Sequence, residues 1–219
     1  MTRRVPGARR AALVISFAML GCLAEDAPAT ATPSAAAQDV SEAGRSTNRP
    51  QPRPHGTRVP VDPSRVGVDD GDTITIRWSR GDTEVVRILG IDTPETRHLE
   101  HDIPYAQPFG EEARSFALEA FADASRIELL RSATLDPYGR TLAYVFIGDR
   151  NYSILVIRAR LALESVSHYG DNGLPKEAAD VLAAAREAGP VPFEPPHRYR
   201  ARMRELSKYM REQGTYPEE

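Results

Sequence analysis

The run Thr73-Ile74-Thr75-Ile76-Arg77-Trp78 alternates polar and apolar side chains with a period of two, as a strand with one buried face does. Arg80-Gly81-Asp82 is turn chemistry, and Val85-Val86-Arg87-Ile88-Leu89-Gly90-Ile91 is a second β-rich run, so the three segments predict a hairpin. Folded about Gly81 and Asp82, it pairs residues whose numbers sum to about 163, which sets Asp72 beside Asp92. Further on, Ala113, Phe116, Ala117, Ala120 and Phe121 follow helical spacing within Glu111 to Ser125, with two acidic residues at the positive end of the dipole. Ala178, Val181, Leu182 and Ala185 repeat the pattern from Pro175 to Ala188, between a starting proline and a Gly189-Pro190 stop. Between these helices, Asn151 to Ala162 is rich in β-branched residues, and propensity leaves helix and strand unresolved there. Tyr199, Met203, Leu206 and Met210 form an apolar stripe among arginines near the C-terminus. A docked helix is expected there in preference to a basic nucleic-acid arm.

Chemistry enters through the hairpin. Two carboxylates as close as Asp72 and Asp92 repel unless a shared proton or a cation compensates, and an oxygen-rich site suits hard ions such as calcium or magnesium. Asp70-Gly71-Asp72 alone would be an ordinary solvated turn. Arg87 is harder to place, because a guanidinium inside an apolar strand needs a partner or a solvent mouth and cannot shed its charge. A phosphate in a cleft would serve. A straight strand would leave Arg87 roughly 16 Å from Asp92, so a site holding both requires strong curvature.

These residues carry a resemblance. Val68-Asp69-Asp70-Gly71-Asp72-Thr73, then Val86-Arg87-Ile88-Leu89-Gly90-Ile91-Asp92-Thr93-Pro94-Glu95-Thr96, then Asp136-Pro137-Tyr138-Gly139-Arg140-Thr141-Leu142-Ala143-Tyr144 resemble the staphylococcal nuclease (thermonuclease) family in three separated motifs, over about residues 60 to 188. The resemblance implies an α+β fold. Its centre would be a five-stranded OB-type Greek-key barrel with about three packed helices, to which this chain adds a C-terminal helix. Strands over Arg126 to Arg131 and Arg140 to Ile147 would complete the barrel, and Asn151 to Ala162 would be helical. It also implies that Asp72 and Asp92 bind calcium, that Thr93 lends its backbone carbonyl to the ion, and that Glu95 activates or orients the attacking water. Arg87 and Arg140 would grip the scissile phosphate, Tyr138 would lie near the bound nucleotide, and Asp70 would stand behind the metal. The expected activity is hydrolysis of DNA and RNA with little sequence preference, leaving 3′-phosphate ends. Calcium is the expected cofactor, with magnesium or manganese as alternatives, and a monomer is expected. Arg160 stands where the family carries a glycine, and the family's base-stacking tyrosines are matched only loosely, by His168 and Tyr169.

The N-terminus speaks to location. Arg3, Arg4, Arg9 and Arg10 precede the apolar stretch Ala11 to Leu20, which is too short to span a membrane but suits a signal peptide over residues 1–22. Cys22, the only cysteine, follows Met19-Leu20-Gly21 and resembles a lipoprotein processing site, so export is expected, with the chain either membrane-tethered or secreted. Residues 23–56 are rich in Ala, Pro, Ser and Thr and read as a disordered linker, before a nuclease-like domain at 57–190 and a helical extension at 191–219. From residue 57 onward, 21 basic side chains face 27 acidic ones, so bulk charge does not attract nucleic acid and local positive sites must do so. His98-Leu99-Glu100-His101-Asp102 has metal-like spacing, yet no further ligands accompany it and a solvated loop is expected. Two other functions remain open: an OB module that binds nucleic acid without cutting it, and a lipoprotein scaffold. A pure binder has no need for Glu95, and retention of the whole motif argues against a scaffold whose C-terminal helix binds a partner.

Overall fold

The computed structural model describes residues 49–217. The expected signal segment with Cys22, and the linker as far as residue 48, lie outside the described residues. Among the described residues no helix is long and apolar enough to cross a membrane.

The predicted hairpin forms, with a different register. Strand β3 (Thr73–Ser79) pairs antiparallel with β4 (Asp82–Ile88), and Thr73 stands opposite Arg87, three residues short of the predicted partner near Gly90. Asp72 is therefore level with Ile88, whose N–H donates to its carbonyl at 2.8 Å. On the far side of β4 runs β7 (Thr141–Ile147), parallel to it, with Val86 opposite Thr141. Then come β6 (Ile127–Leu135) and β1 (Arg58–Val61), each antiparallel to its neighbour, while β2 (Val66–Val68) lies on the outer side of β3.

That order forces a curl. Strands β1 and β2 are the two edges of the six-strand path, yet only Asp62 to Arg65 separate them in the chain. Six flat strands would hold their edges about 24 Å apart. The connecting residues span no more than about 18 Å. The sheet closes partway into the barrel expected from the resemblance, with the first barrel strand broken into β1 and β2 and a two-residue strand β8 (Arg150–Asn151) added beside β7.

Helices cover the curled sheet. The first is α1 (Gly110–Ala122), which buries Ala113, Ala117 and Phe121, close to the predicted span. The ambiguous segment is helical as α2 (Tyr152–Arg158), capped by Asn151, whose side-chain oxygen accepts from Ser153 N–H at 2.9 Å. Burial of Tyr152, Ser153, Val156 and Ile157 on one face decides for helix, against the β-branched composition. Arg160 then takes φ +60°, the left-handed conformation a glycine adopts without strain, and its guanidinium donates to Pro190 O. A short α3 (Val166–Tyr169) leads to α4 (Pro175–Ala188), which has the predicted limits. Last comes α5 (Pro196–Glu212). It docks as expected, with Tyr199, Met203 and Leu206 packed on Ile103.

The linker boundary needs correction. Residues 49–56 belong to the domain: Gln51 is buried and bonds Ala133 O and Thr141 Oγ1, Gly56 N–H donates to Arg131 O, and Arg131 reaches Pro54 O. A proline-rich stretch without apolar periodicity can still be ordered when its backbone groups find partners on a sheet edge.

Candidate active site

Asp92 reaches Arg87 through a bend, not through the hairpin register. After β4 the chain turns at Leu89-Gly90, where Gly90 has φ +82°, and Ile91–Asp92 form β5, paired with β9 (Leu163–Glu164) in a separate small sheet. The 16 Å separation of a straight strand is thereby removed. A side chain at Gly90 would be strained by its φ and would press on Tyr144 and Val181.

Arg87 is the hub of the resulting cluster. Its Nη1 lies 3.0 Å from Asp72 Oδ2 and its Nη2 3.4 Å from Asp92 Oδ1, while the carbonyls of Ile88 and Ile91 accept from it at 3.0 and 2.9 Å. Burial alone would lower its pKa, but Asp72 and Asp92 raise it, so the guanidinium stays charged. Asp72 is fixed further by Thr93 N–H, at 3.0 Å from Oδ2, and by Thr73 Oγ1, at 3.2 Å from Oδ1. Asp70 accepts from Asp72 N–H at 3.0 Å. Burial and the neighbouring Asp72 carboxylate push the Asp70 carboxyl up to about 7.

Glu95 joins through its own supports. Gln107 brackets its backbone, the side-chain oxygen accepting from Glu95 N–H at 3.2 Å and Gln107 N–H donating to Glu95 O at 2.8 Å. The start of α1 presses on the same peptide, since a Cβ at Gly110 would fall 2.2 Å from Glu95 O. Gly110→Ala is therefore expected to lower stability by about 1–3 kcal/mol, because backbone cannot yield as a side-chain tip can. Equilibrium denaturation checks this, and a variant as stable as its parent would contradict the close approach. Burial raises the Glu95 carboxyl above its usual range, against the pull of Arg200 and with the help of Asp72.

Arg200 had no place in the predicted site. Carried by α5, its Nη1 and Nη2 lie 3.0 and 3.2 Å from the two oxygens of Asp92, and Nη1 also bonds Glu95 Oε1. A signal existed in the sequence. At 3.6 residues per turn Arg200 projects roughly 100° from Tyr199, at the edge of the apolar stripe rather than on the solvated side.

Two predicted members are not gathered into this cluster. Arg140 bonds Asp136 at 2.7 Å, and Tyr138, 85 % exposed, stands in the same turn with its ring 5.6 Å from the Arg140 guanidinium. Arg140 immediately precedes Thr141 at the start of β7, the strand beside Arg87's own. The His98 to Asp102 loop is not fully solvated, because Leu99 and Ile103 are buried, the latter against α5, and Asp102 pairs with Arg211. Among the described residues no three His, Cys, Asp or Glu side chains converge as a metal cage.

Comparison with known proteins bears on this arrangement. Residues 85–189 match the family described as staphylococcal nuclease homologue. That segment is staphylococcal nuclease-like. A thermonuclease of Staphylococcus intermedius is 41 % identical over 96 residues, covering 43 % of this chain and 54 % of that protein. Endonuclease YncB of Bacillus subtilis is 33 % identical over 94 residues, covering 42 % and 43 %. The chain spans about half the length of such relatives. Arg87, Asp92, Thr93, Glu95 and Arg140 fall inside the matched nuclease segment, whereas Asp72 and Arg200 lie outside it.

Proposed function

We propose that this chain is an exported, metal-dependent nuclease that hydrolyses phosphodiester bonds of DNA and RNA with low sequence specificity and leaves 3′-phosphate ends. The observation that carries the reading is the convergence of Asp72, Asp92 and Glu95 around two guanidiniums in one half-buried cluster. The nuclease relatives support the same class of reaction. A phosphodiester resists attack because its negative charge repels the nucleophile, so cleavage needs charge neutralisation and a positioned water.

The oxygen chemistry of the donors suits a hard divalent cation, although no three of their side chains converge as a cage among the described residues. Four carboxyl groups, Asp70, Asp72, Asp92 and Glu95, face two guanidiniums, Arg87 and Arg200, so the cluster keeps an excess of acidic groups for an ion to balance. Asp72, Asp92 and the Thr93 carbonyl would hold calcium, with magnesium or manganese as alternatives. When bound, it would supply charge neutralisation at the phosphate. Glu95 would accept a proton from the attacking water, and the burial that raises its carboxyl makes it a stronger base than an exposed glutamate. Arg87 would donate to the phosphate oxygens. Arg140 would add a second donor on leaving Asp136, with Tyr138 beside the nucleotide. Residues 1–22 would direct export, with Cys22 as a lipid anchor, and the chain would act as a monomer.

The test is incubation of the full chain with single-stranded DNA and with RNA, in calcium and then in chelator. Cleavage that needs calcium and yields 3′-phosphate ends is expected. Binding that survives chelation, with no cleavage under either condition, would make the protein a binding module instead.

A further inference from the structure

We propose that Arg200 is a positioning residue of the nuclease site, so that cleavage depends on the C-terminal helix α5. The inference rests on the hydrolytic reading above. One guanidinium bridges both oxygens of Asp92 and one oxygen of Glu95, which fixes the two carboxylates relative to each other. Among the described residues the Glu95 carboxylate has no other hydrogen-bond partner. Without Arg200 its rotamers are held by packing alone.

The scaffold around Arg200 is built to place it. Gln107, itself buried, holds Glu95 N–H with its oxygen while its Nε2 donates at 2.7 Å to Glu194 O, two residues before α5. A single side chain thus ties the backbone of Glu95 to the entry of the helix that carries Arg200. Downstream, Tyr199 Oη donates to Tyr105 O and Ser207 Oγ to Asp102 O, both at 2.9 Å, and Met203 packs on Ile103. These anchors lie on both sides of Arg200 along the helix. They serve one long side chain whose planar fork suits two carboxylates at once, as a lysine's point charge does not.

Charge argues for a working part rather than a plug. With Arg200 in place the acidic groups of the cluster still outnumber the guanidiniums, four to two, so arginine and a divalent cation complement each other. Deleting Arg200 would leave the cluster more acidic. Calcium affinity should then hold or rise, while the geometry of Glu95 is lost.

Steady-state cleavage of a single-stranded oligodeoxynucleotide by the full chain and its Arg200→Ala, Arg200→Gln and Arg200→Lys variants tests this, with calcium binding followed by calorimetry. Arg200→Ala is expected to lower kcat about a hundredfold, since a shift of about 1 Å in a reacting group has that effect. KM should stay within about threefold of the parent, because the loss falls on the chemical step. Arg200→Lys should recover part of kcat, and calcium binding should not weaken. If the alanine variant does not fold, Arg200→Gln is expected to give the same loss of kcat. Unchanged kcat overturns the proposal, as does weakened calcium binding, which would trace the loss to the ion. A raised kcat also overturns it, since Arg200 would then be a block. An active parent beside an equally active Arg200→Ala sinks this inference alone. A parent chain that cuts nothing sinks the nuclease reading, and this one with it.

Discussion

Arg87→Ala is expected to lower the rate of phosphodiester cleavage by about a thousandfold, the order found when a transition-state donor or a phosphate-binding arginine is removed. The side chain is 18 % exposed and sits between Asp72 and Asp92, so its loss also leaves two carboxylates facing each other with only Arg200 to compensate. Breaking such a pair lowers stability by about 3 kcal/mol. Added calcium should restore much of that stability, because an ion that binds only the folded state stabilises it by mass action. Activity should not return with it. Arg87→Lys should keep part of the stability and little of the rate, since an ammonium cannot make the forked contacts to both aspartates and two carbonyls. Cleavage kinetics and thermal unfolding with and without calcium separate the two effects. Recovered activity in Arg87→Ala with calcium would count against the role assigned to Arg87.

The largest effect on folding is expected at Arg131→Ala. Arg131 is 1 % exposed and meets Glu84 through two parallel bonds of 2.7 and 2.8 Å, while Thr141 Oγ1 and Trp78 Nε1 donate to the same carboxylate at 2.6 and 2.7 Å. This network joins β3, β4, β6 and β7 inside the curled sheet. Removing the guanidinium leaves the buried Glu84 charge with only the more distant Arg53, whose Nε lies 3.6 Å from it, which costs about 3–5 kcal/mol. At roughly 2–4 °C per kcal/mol for a domain of this size, the unfolding midpoint should fall by about 10–15 °C. Burial alone would raise the Glu84 carboxyl, but the bonds from Arg131 and Thr141 outweigh it and hold it below its usual range. A folded-state pKa below the unfolded one gives stability that is fully present above the ordinary glutamate pKa and is lost as pH falls through the folded value. The parent should therefore lose stability on acidification through and below the usual glutamate range, and Arg131→Ala should lose less. A pH series of denaturation midpoints checks the sign, and parallel curves for the two proteins would contradict it.

How much of this could be read beforehand varies with the kind of signal. Helix α4 was legible to the residue, because proline and glycine punctuate it and its apolar spacing is regular. Asp72 and Asp92 meet at Arg87 through a bend rather than through hairpin register. Hairpin register puts Asp72 level with Ile88, and only the turn at Gly90 returns Asp92 to Arg87. Periodicity carries no information about such a turn, since a β-rich run reads the same straight or bent. Arg140 could be assigned only from the resemblance, and it is held by Asp136, four residues upstream. Arg200 was hidden for another reason: it sits 105 residues beyond Glu95 in the chain, and only the docking of α5 on the loop through Ile103 brings the two together. A basic residue at the margin of an apolar stripe was the one local clue.

The proposed hydrolytic site for phosphodiesters is built from Asp72, Arg87, Asp92 and Glu95. Its most direct test is the initial rate of cleavage of a single-stranded DNA by the full chain in calcium, beside Glu95→Gln, with binding of the same DNA measured in parallel. The parent is expected to cut, and Glu95→Gln to bind as tightly while cutting at least about a hundredfold more slowly, as loss of a general base implies. Equal rates in the two proteins, or tight binding with no cleavage by either, would contradict it.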